Sequence, residues 1–333
     1  MRAFQHSEVL RIDTVTGGCI SGGALLVALI VDRVFGEPTA RWHPVVWIGH
    51  YLGWAGARVA PLVGDEVQPI SGANRRIFWS ATFYWVAGAV VVALIAMLLQ
   101  FATSNLHPIV AVLVLGGALK PLLAWRMLSD EVRAVEASLI ESLSAGRSRL
   151  AWLVSRDVQS LSESGIRESA IESLAENLND SVVSPILWFA IAGMPGAALY
   201  RFANTADAMW GYNGERGGRY WQWAGKFAAR ADDVMSWPGA RLTALLVASL
   251  RSGRWVFRLP SEARLTPSPN SGWPMAAFAL ALNIRLGKPG VYVLNGAASA
   301  PVADDVANAV RLATTVVFSF VVVAEATIFG LSL

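Results

Sequence analysis

Long apolar runs alternate with shorter polar stretches along this chain. Between Arg76 and Lys120 there is no Asp, Glu, Lys or Arg. A bilayer core takes about 20 apolar residues as helix, so this stretch is long enough for two membrane spans, divided before Pro108, where a helix should end. Further apolar runs lie near both ends of the sequence. The pattern predicts spans near residues 17–34, 79–101, 109–128 and 306–333.

Shorter apolar segments lie between the predicted spans. Residues 181–200 are broken by prolines and glycines and are followed by an arginine-rich stretch, which favours a re-entrant or interfacial hairpin over a crossing. Loop arginines place the polar segments 129–180 and 201–272 in the cytoplasm. We therefore predict an all-α, multi-pass integral membrane protein. It has a single domain over 1–333, with about four spanning helices, short re-entrant or interfacial helices, and a polar cytoplasmic helical part.

Composition agrees with this class. Of the 333 residues 54% are hydrophobic and only 15% are charged, against roughly 45–50% and about 25% in typical soluble proteins. The single cysteine, Cys19, excludes a disulfide scaffold and a cysteine-based metal site. A net charge of +3 falls well short of the basic stripe of a nucleic-acid-binding protein.

An acidic stripe is the most informative polar pattern. Glu168, Glu172, Glu176 and Asp180 recur every four residues, so they share one face of a helix. Like charges at this spacing repel, and no lysine or arginine interleaves on that face. Carboxylates together with the amide of Asn177 are the hard oxygen ligands of Mg²⁺ carrying a nucleotide. A solvated acidic face remains the alternative interpretation.

Two further polar runs carry candidate chemistry. Dense polar residues beside membrane segments are costly unless they pair or bind something. The candidates in the first run are Asn204, Asp207, Tyr212, Arg230, Asp232 and Asp233. The second run, residues 268–274, predicts a loop whose backbone N–H groups could bind an anion. Local capping and salt bridges, or a plain connecting turn, explain the same residues equally well.

The cytoplasmic end of the first span carries Asp32 and Arg33, which we interpret as a helix end, and His43, which we interpret as structural. The chain lacks a Walker-type phosphate loop, a Rossmann glycine motif and a His-Glu-x-x-His motif. From the residues alone, the prediction is a membrane-embedded protein with an acidic, cation-binding cytoplasmic site.

These runs, in order, resemble a known family. The most specific parts are Glu-Ser-x-Ala-Glu-Asn-x2-Asp at 172–180 and Ser-Pro-Asn-Ser-Gly-Trp-Pro at 268–274, with Asn-Thr-x-Asp-x-Met-x-Gly-Tyr at 204–212 between them. The pattern resembles the CobD/CbiB family of cobalamin biosynthesis, the adenosylcobinamide-phosphate (cobinamide) synthases, from about Leu26 to Leu333. It departs from the family pattern at Ser236, where an Asn usually follows the Asp-Asp pair.

The resemblance implies an ATP-dependent carbon–nitrogen ligase. Such an enzyme joins aminopropanol, or its phosphate, to a propionate carboxyl of adenosylcobyric acid. It would lie in the inner (cell) membrane with a cytoplasmic active site, use Mg²⁺ with ATP, and work beside other cobalamin-pathway enzymes. We expect no nucleic-acid partner.

On this basis we assign hypothetical roles to the candidate residues. Glu172, Glu176 and Asp180 would hold Mg²⁺. The substrate- or nucleotide-binding residues would be Asn177, Asn204, Tyr212, Asn270, Ser271 and Trp273. The catalytic residues would be Asp207, Arg230, Asp232, Asp233 and Arg241. Arg230 and Arg241 would face phosphates or an acyl oxyanion, and Asp207 or Asp232 would accept a proton from the amine.

Two other functions remain as alternatives. A transporter would carry acidic residues within its long spans and inverted repeats, but residues 77–119 carry no charge and we find no repeat. A membrane scaffold for corrinoid enzymes would not need the clustered carboxylates.

Overall fold

The computed structural model describes residues 2–63, 71–251 and 253–333, with the side chains of 2–15 and 71 excepted. Within these residues the chain is mostly helical with almost no sheet, in agreement with the predicted all-α class. The helices are α1 Arg2–Phe35, α2 Pro44–Val59, α3 Ser71–Thr103, α4 Pro108–Leu119, α5 Trp125–Glu141, α6 Leu143–Leu150, α7 Glu163–Leu178, α8 Ser184–Trp210, α9 Lys226–Leu250, α10 Leu259–Ala263, α11 Gly272–Ala281 and α12 Ala303–Ser332. Two antiparallel hairpins complete the fold, formed by β1 Glu215–Arg216 with β2 Arg219–Tyr220 and by β3 Leu286–Lys288 with β4 Tyr292–Leu294.

The chain divides into two compact units. The first unit comprises Met1–Leu123, Pro185–Ser236 and Ala324–Leu333, and the second comprises Ala124–Ser184 and Trp237–Val323. The predicted polar segment 129–180 lies entirely within the second unit. The predicted segment 201–272 contributes to both.

Five segments of the described chain are long and apolar enough to cross a membrane: Thr16–Phe35, Gly72–Thr103, Pro108–Glu141, Glu163–Trp210 and Ala303–Ser332. Four of them cover the spans predicted at 17–34, 79–101, 109–128 and 306–333, the last as far as Ser332. Within Pro108–Glu141 the helix is interrupted after Leu119 by a 3₁₀ turn that contains Pro121.

The remaining segment, Glu163–Trp210, contains the predicted hairpin at 181–200. Its helix α8 runs on to Trp210 with a kink at Ala192 and Gly193, where Gly193 has φ +63°. Left-handed backbone of this kind favours glycine. The helix is thus interrupted within 181–200, where the prolines and glycines predicted a break, and the chain continues as helix beyond the kink.

In the first unit, helices α2, α3 and α8 surround an aromatic core. Phe202 and Trp210 are fully buried, and Trp210 stacks on Trp221 with ring centroids 6.1 Å apart. The Trp210 indole donates to the carbonyl of Leu52 at 3.2 Å, so the ring buries its area without leaving a polar group unpaired.

In the second unit, helix α7 is surrounded by α5, α6, α11 and β3. Most of its residues are buried, including Ile171, Leu174 and Leu178. Glu168 and Glu172 are buried with them. Charged residues are almost never fully buried unless they are paired, so this helix requires partners for its carboxylates.

Candidate active site

Helix α7 and the turn after it carry the acidic stripe. Ser162 caps the helix by accepting a hydrogen bond from the Gly165 amide at 3.3 Å. After Leu178 the chain forms a π-helical turn over Asn179–Val183, a wide turn that is frequent at functional sites. Within it, Asn179 donates to Asp180 at 2.8 Å and accepts from the Ser184 hydroxyl at 2.9 Å.

Two of the four acidic side chains form ion pairs. Glu168 pairs with Arg285 at 2.9 Å and Glu172 pairs with Arg156 at 2.7 Å. Our expectation that no arginine relieves the stripe therefore needs correction: the arginines come from other segments of the second unit. Repulsion along the helix does not by itself require a bound cation.

Glu172 and Glu176 face a small polar cavity of about 180 Å³ in the second unit. Its wall combines acidic, basic, hydroxyl and amide groups. The polar lining residues are Ser155, Arg156, Ser169, Glu172, Ser173, Glu176, Asn177, Lys288 and Tyr292. Asn177 donates to the carbonyl of Ser173 at 2.9 Å, so its amide is held against the helix.

The hairpin of β3 and β4 supplies one side of this cavity. Lys288 and Tyr292 are paired across the two strands, and Gly290 in the connecting turn has φ +72°. Burial and the charge of the nearby Glu172 raise the pKa of Tyr292, so its hydroxyl stays protonated and can act as a donor. Sequence reasoning missed this hairpin, although the Pro-Gly turn at 289–290 was a signal for it.

The carboxylate of Glu176 is surrounded by charged groups of both signs. Its half-buried carboxylate experiences the charges of Asp180, Glu172, Lys288 and Arg156. In the described residues, the buried Nη1 of Arg156 has no hydrogen-bond partner. Such a group is rare in a folded protein and calls for an explanation, such as a bound water or ligand.

The predicted magnesium site can be tested against these contacts. Among the described residues, no three His, Cys, Asp or Glu side chains are grouped so that they could hold a metal ion. Glu172 is already paired with Arg156. A site in which Glu172, Glu176 and Asp180 together coordinate Mg²⁺ does not fit this arrangement.

A second cluster of the second unit surrounds Arg241. Its guanidinium lies over the rings of Trp237 and Trp273, at 4.7 and 4.9 Å from their centroids. It donates to Asn270 and, at 3.0 Å, to the carbonyl of Pro269. Burial lowers the pKa of Arg241. The structure thus brings together three predicted residues, Arg241, Asn270 and Trp273.

The loop before Trp273 is a local turn. The amides of Asn270 and Ser271 both donate to the hydroxyl of Ser268 at 3.2 Å. These N–H groups are therefore engaged within the loop, which corresponds to the plain turn that the sequence left open.

The first unit brings Asn204 and Asp232 together at 3.5 Å. Ser236 donates to the same carboxylate oxygen at 3.3 Å and lies 3.1 Å from the hydroxyl of the buried Tyr200. Burial raises the pKa of the neighbouring Asp233. The result is a compact polar cluster in which a carboxylate is held by an amide and a hydroxyl.

The remaining predicted residues of the first unit lie in local contacts. Tyr212 donates to the carbonyl of Ala208 at 3.0 Å, and Arg216 stacks on its ring at 3.9 Å. Asp207 accepts through its carbonyl from Gly211 at 2.7 Å. The side chain of Arg230 is exposed.

Sequence reasoning also missed a buried charge cluster in the first unit. The ammonium of Lys120 lies 3.3 Å from Asp32 and 2.8 Å from Glu37. Glu37 in turn lies 3.1 Å from His43, whose other ring nitrogen accepts from the Val45 amide and so caps helix α2. His43 is structural, as predicted, whereas Asp32 does more than end a helix.

A larger cavity of about 620 Å³ lies in the first unit. Its wall is apolar and includes Trp47, Tyr51, Met194 and Phe202. Apart from Tyr51, the lining residues carry no titratable side chain, so size alone does not identify the site.

The family model and the curated relatives that match this chain point to the same family. The family model "CobD/Cbib protein" matches residues 25–317. The chain is 38% identical over 307 residues to the probable cobalamin biosynthesis protein CobD of Methanothermobacter thermautotrophicus, covering 90% of this chain and 95% of the relative. It is 37% identical over 281 residues to the cobalamin biosynthesis protein CobD of Brucella suis, covering 80% and 82%. No solved structure matches this chain.

Proposed function

We propose, starting from the fact that the chain belongs to the CobD/CbiB family, that this protein is an ATP-dependent amide ligase of cobalamin biosynthesis. It would join aminopropanol, or its phosphate, to a propionate carboxyl of adenosylcobyric acid. The relatives' names support a biosynthetic role that involves a corrinoid, and they give no support to a transporter or a scaffold. The five apolar segments support a membrane location.

The chemistry needs an activated carboxyl group. A carboxylate oxygen attacks a phosphorus of ATP and gives an acyl phosphate with ADP, or an acyl adenylate with pyrophosphate. The amine then attacks the acyl carbon and loses a proton, and the C–O bond breaks to release phosphate or AMP. The protein must therefore bind phosphates, stabilise a developing oxyanion and accept one proton.

The single observation that carries this proposal, beyond family membership, is the small polar cavity of the second unit. It combines two cationic side chains with two carboxylates on a buried helix. A membrane protein with only 15% charged residues does not assemble such groups without a use, since polar groups beside a membrane are costly.

Two further clusters support the remaining roles. Arg241, held by two tryptophan rings and Asn270, is a rigid cation suited to phosphate or an acyl oxyanion. Asp232, with Asn204 and Ser236, is a positioned carboxylate that could accept a proton. Mg²⁺ would enter as the counter-ion of ATP and neutralise phosphate charge.

The proposal is tested with the purified full-length protein in lipid nanodiscs. The protein is incubated with adenosylcobyric acid, aminopropanol phosphate and Mg-ATP, and the product is measured by mass spectrometry. We expect a corrinoid whose mass has increased by that of the amine less one water, together with ATP consumption.

The variant Glu176→Gln should lose this activity. The matched control, Glu163→Gln, should keep it, because Glu163 lies in the first turn of the same helix with its side chain 64% exposed. Absence of the amide from every amine tested, with a known ligase active in parallel, would refute the proposed function.

A further inference from the structure

The size of the polar cavity in the second unit restricts what it can hold. Its volume is about 180 Å³, whereas pockets for drug-sized ligands measure roughly 300–1,000 Å³. A nucleotide or a corrin ring is larger than this space. The cavity therefore fits a molecule of few heavy atoms.

The charges of the cavity favour a ligand that carries both signs. Arg156 and Lys288 contribute two positive charges, and Glu172 and Glu176 contribute two negative ones. A polyanion such as ATP would meet both carboxylates, whereas a molecule with one cationic and one anionic end can match each sign separately.

The contacts already made within the cavity indicate where each end would lie. Arg156 uses Nη2 for Glu172 at 2.7 Å, while its buried Nη1 lacks a hydrogen-bond partner among the described residues. This N–H group needs an acceptor, such as a phosphate oxygen. The exposed Lys288 lines the same cavity from the hairpin and can approach that acceptor. Glu176 offers an acceptor for a donor of opposite charge.

We infer that this cavity is the subsite for the small amine, bound as its phosphate ester, with the phosphate at Arg156 and Lys288 and the ammonium at Glu176. The inference rests on the proposed function for the identity of the amine. It replaces the expected role of Glu172, Glu176 and Asn177 in binding a nucleotide. The ammonium proton passes to the carboxylate of Glu176, which leaves a neutral amine with a free electron pair.

Direct binding tests this assignment without requiring turnover. Radiolabelled aminopropanol phosphate is equilibrated with the full-length protein in nanodiscs, with and without adenosylcobyric acid and in the absence of ATP. We expect one saturable site. Lys288→Ala should weaken binding of the phosphate ester about tenfold or more, as for the loss of a charge-assisted hydrogen bond, and Lys288→Arg should restore most of it.

The unphosphorylated amine serves as an internal control. Lys288→Ala should leave the weaker binding of aminopropanol itself nearly unchanged, whereas Glu176→Gln should weaken the binding of both compounds. Glu163→Gln should affect neither. If the wild-type protein does not bind the amine under either condition, or if Lys288→Ala weakens both compounds equally, the assignment is overturned.

Steady-state kinetics separate this assignment from the proposed function. If amide forms and Lys288→Ala raises the KM for ATP but not for the amine, the cavity holds the nucleotide and the assignment is overturned while the function stands. If the amine binds with the expected pattern of variants and no amide forms, the subsite is supported and the proposed reaction fails.

Discussion

Replacing Lys120 by methionine removes an ammonium that lies between two carboxylates inside the first unit. Lys120 is 3% exposed, and the side chain of Asp32 is 2% exposed. Methionine fills a similar volume but carries no charge. The variant therefore leaves the buried Asp32 and the half-buried Glu37 without this cation.

The magnitude follows from the distances. At 2.8 Å from Glu37 and 3.3 Å from Asp32, and at an effective dielectric constant of about 20, the attractions are about 6 and 5 kcal/mol. Most of this gain offsets the cost of removing the charges from water. Measured losses on removing one partner of a buried ion pair are about 3–5 kcal/mol, and we expect a loss in this range for Lys120→Met.

The loss is measured by titrating the protein in mixed micelles with a denaturing detergent and following tryptophan fluorescence. The double variant Lys120→Met, Asp32→Asn should recover about 2 kcal/mol, because it removes the charge of one of the two carboxylates that contacted the ammonium. Lys226→Met is the matched control. Lys226 lies 4.4 Å from the Trp223 ring centroid, an interaction worth about 1 kcal/mol. A loss below about 1 kcal/mol for Lys120→Met would refute the reasoning.

Three further predictions concern the two units. In Gly239→Ala the new methyl group would collide with the Ser184 hydroxyl beside the π-helical turn, so we expect the free energy of unfolding to fall by about 1–3 kcal/mol in the same assay. The control Gly165→Ala meets only ordinary contacts and should change the free energy of unfolding by less than about 1 kcal/mol. Burial raises the pKa of Asp233, so its ionised form destabilises the folded state. Asp233→Asn should therefore be more stable than the wild type at pH 7. The difference in unfolding free energy should vanish as the pH falls below the ordinary pKa of an aspartate, where the carboxyl group is neutral in both states. An equal difference at both extremes of pH would contradict this. Arg241→Lys loses the flat guanidinium between two tryptophan rings and should lose about 1–2 kcal/mol of stability; unchanged unfolding would show that the stacking contributes nothing.

The long helices could be predicted from the sequence because their signal is local. Helix α3 contains a run without charge that exceeds the thickness of a bilayer, and α12 carries only Arg311 and Glu325 after its first turn. The break after Leu119 was missed because Lys120 and Pro121 fall inside a run that is otherwise apolar. Hydropathy averaged over a span does not register one proline.

The ion pairs of the acidic stripe could not be predicted in the same way. Arg156 lies 16 residues from Glu172, and Arg285 lies 117 residues from Glu168. Helical spacing identifies neighbours three and four positions apart, but it does not show which distant segment packs against that face. The spacing predicted the helix that carries Glu168, Glu172 and Glu176, and their partners required the tertiary structure.

The candidate residues likewise divide into those that the sequence identified and those that only the tertiary structure revealed. The family resemblance selected Arg241, Asn270 and Trp273, which the fold brings together. Sequence reasoning did not select Lys288 or Tyr292, because a single lysine or tyrosine in a short hairpin has no distinctive spacing. Their importance depends on the cavity that they line.

The central claim, that ATP activates the corrinoid carboxyl group for amide formation, is tested most directly by oxygen isotope transfer. Adenosylcobyric acid labelled with oxygen-18 in its propionate carboxylate is converted by the purified protein with unlabelled ATP and amine. The account predicts that one labelled oxygen per amide appears in inorganic phosphate or in AMP, because the C–O bond of the activated carboxyl breaks when the amine attacks. Amide formation with no label in either product would contradict it.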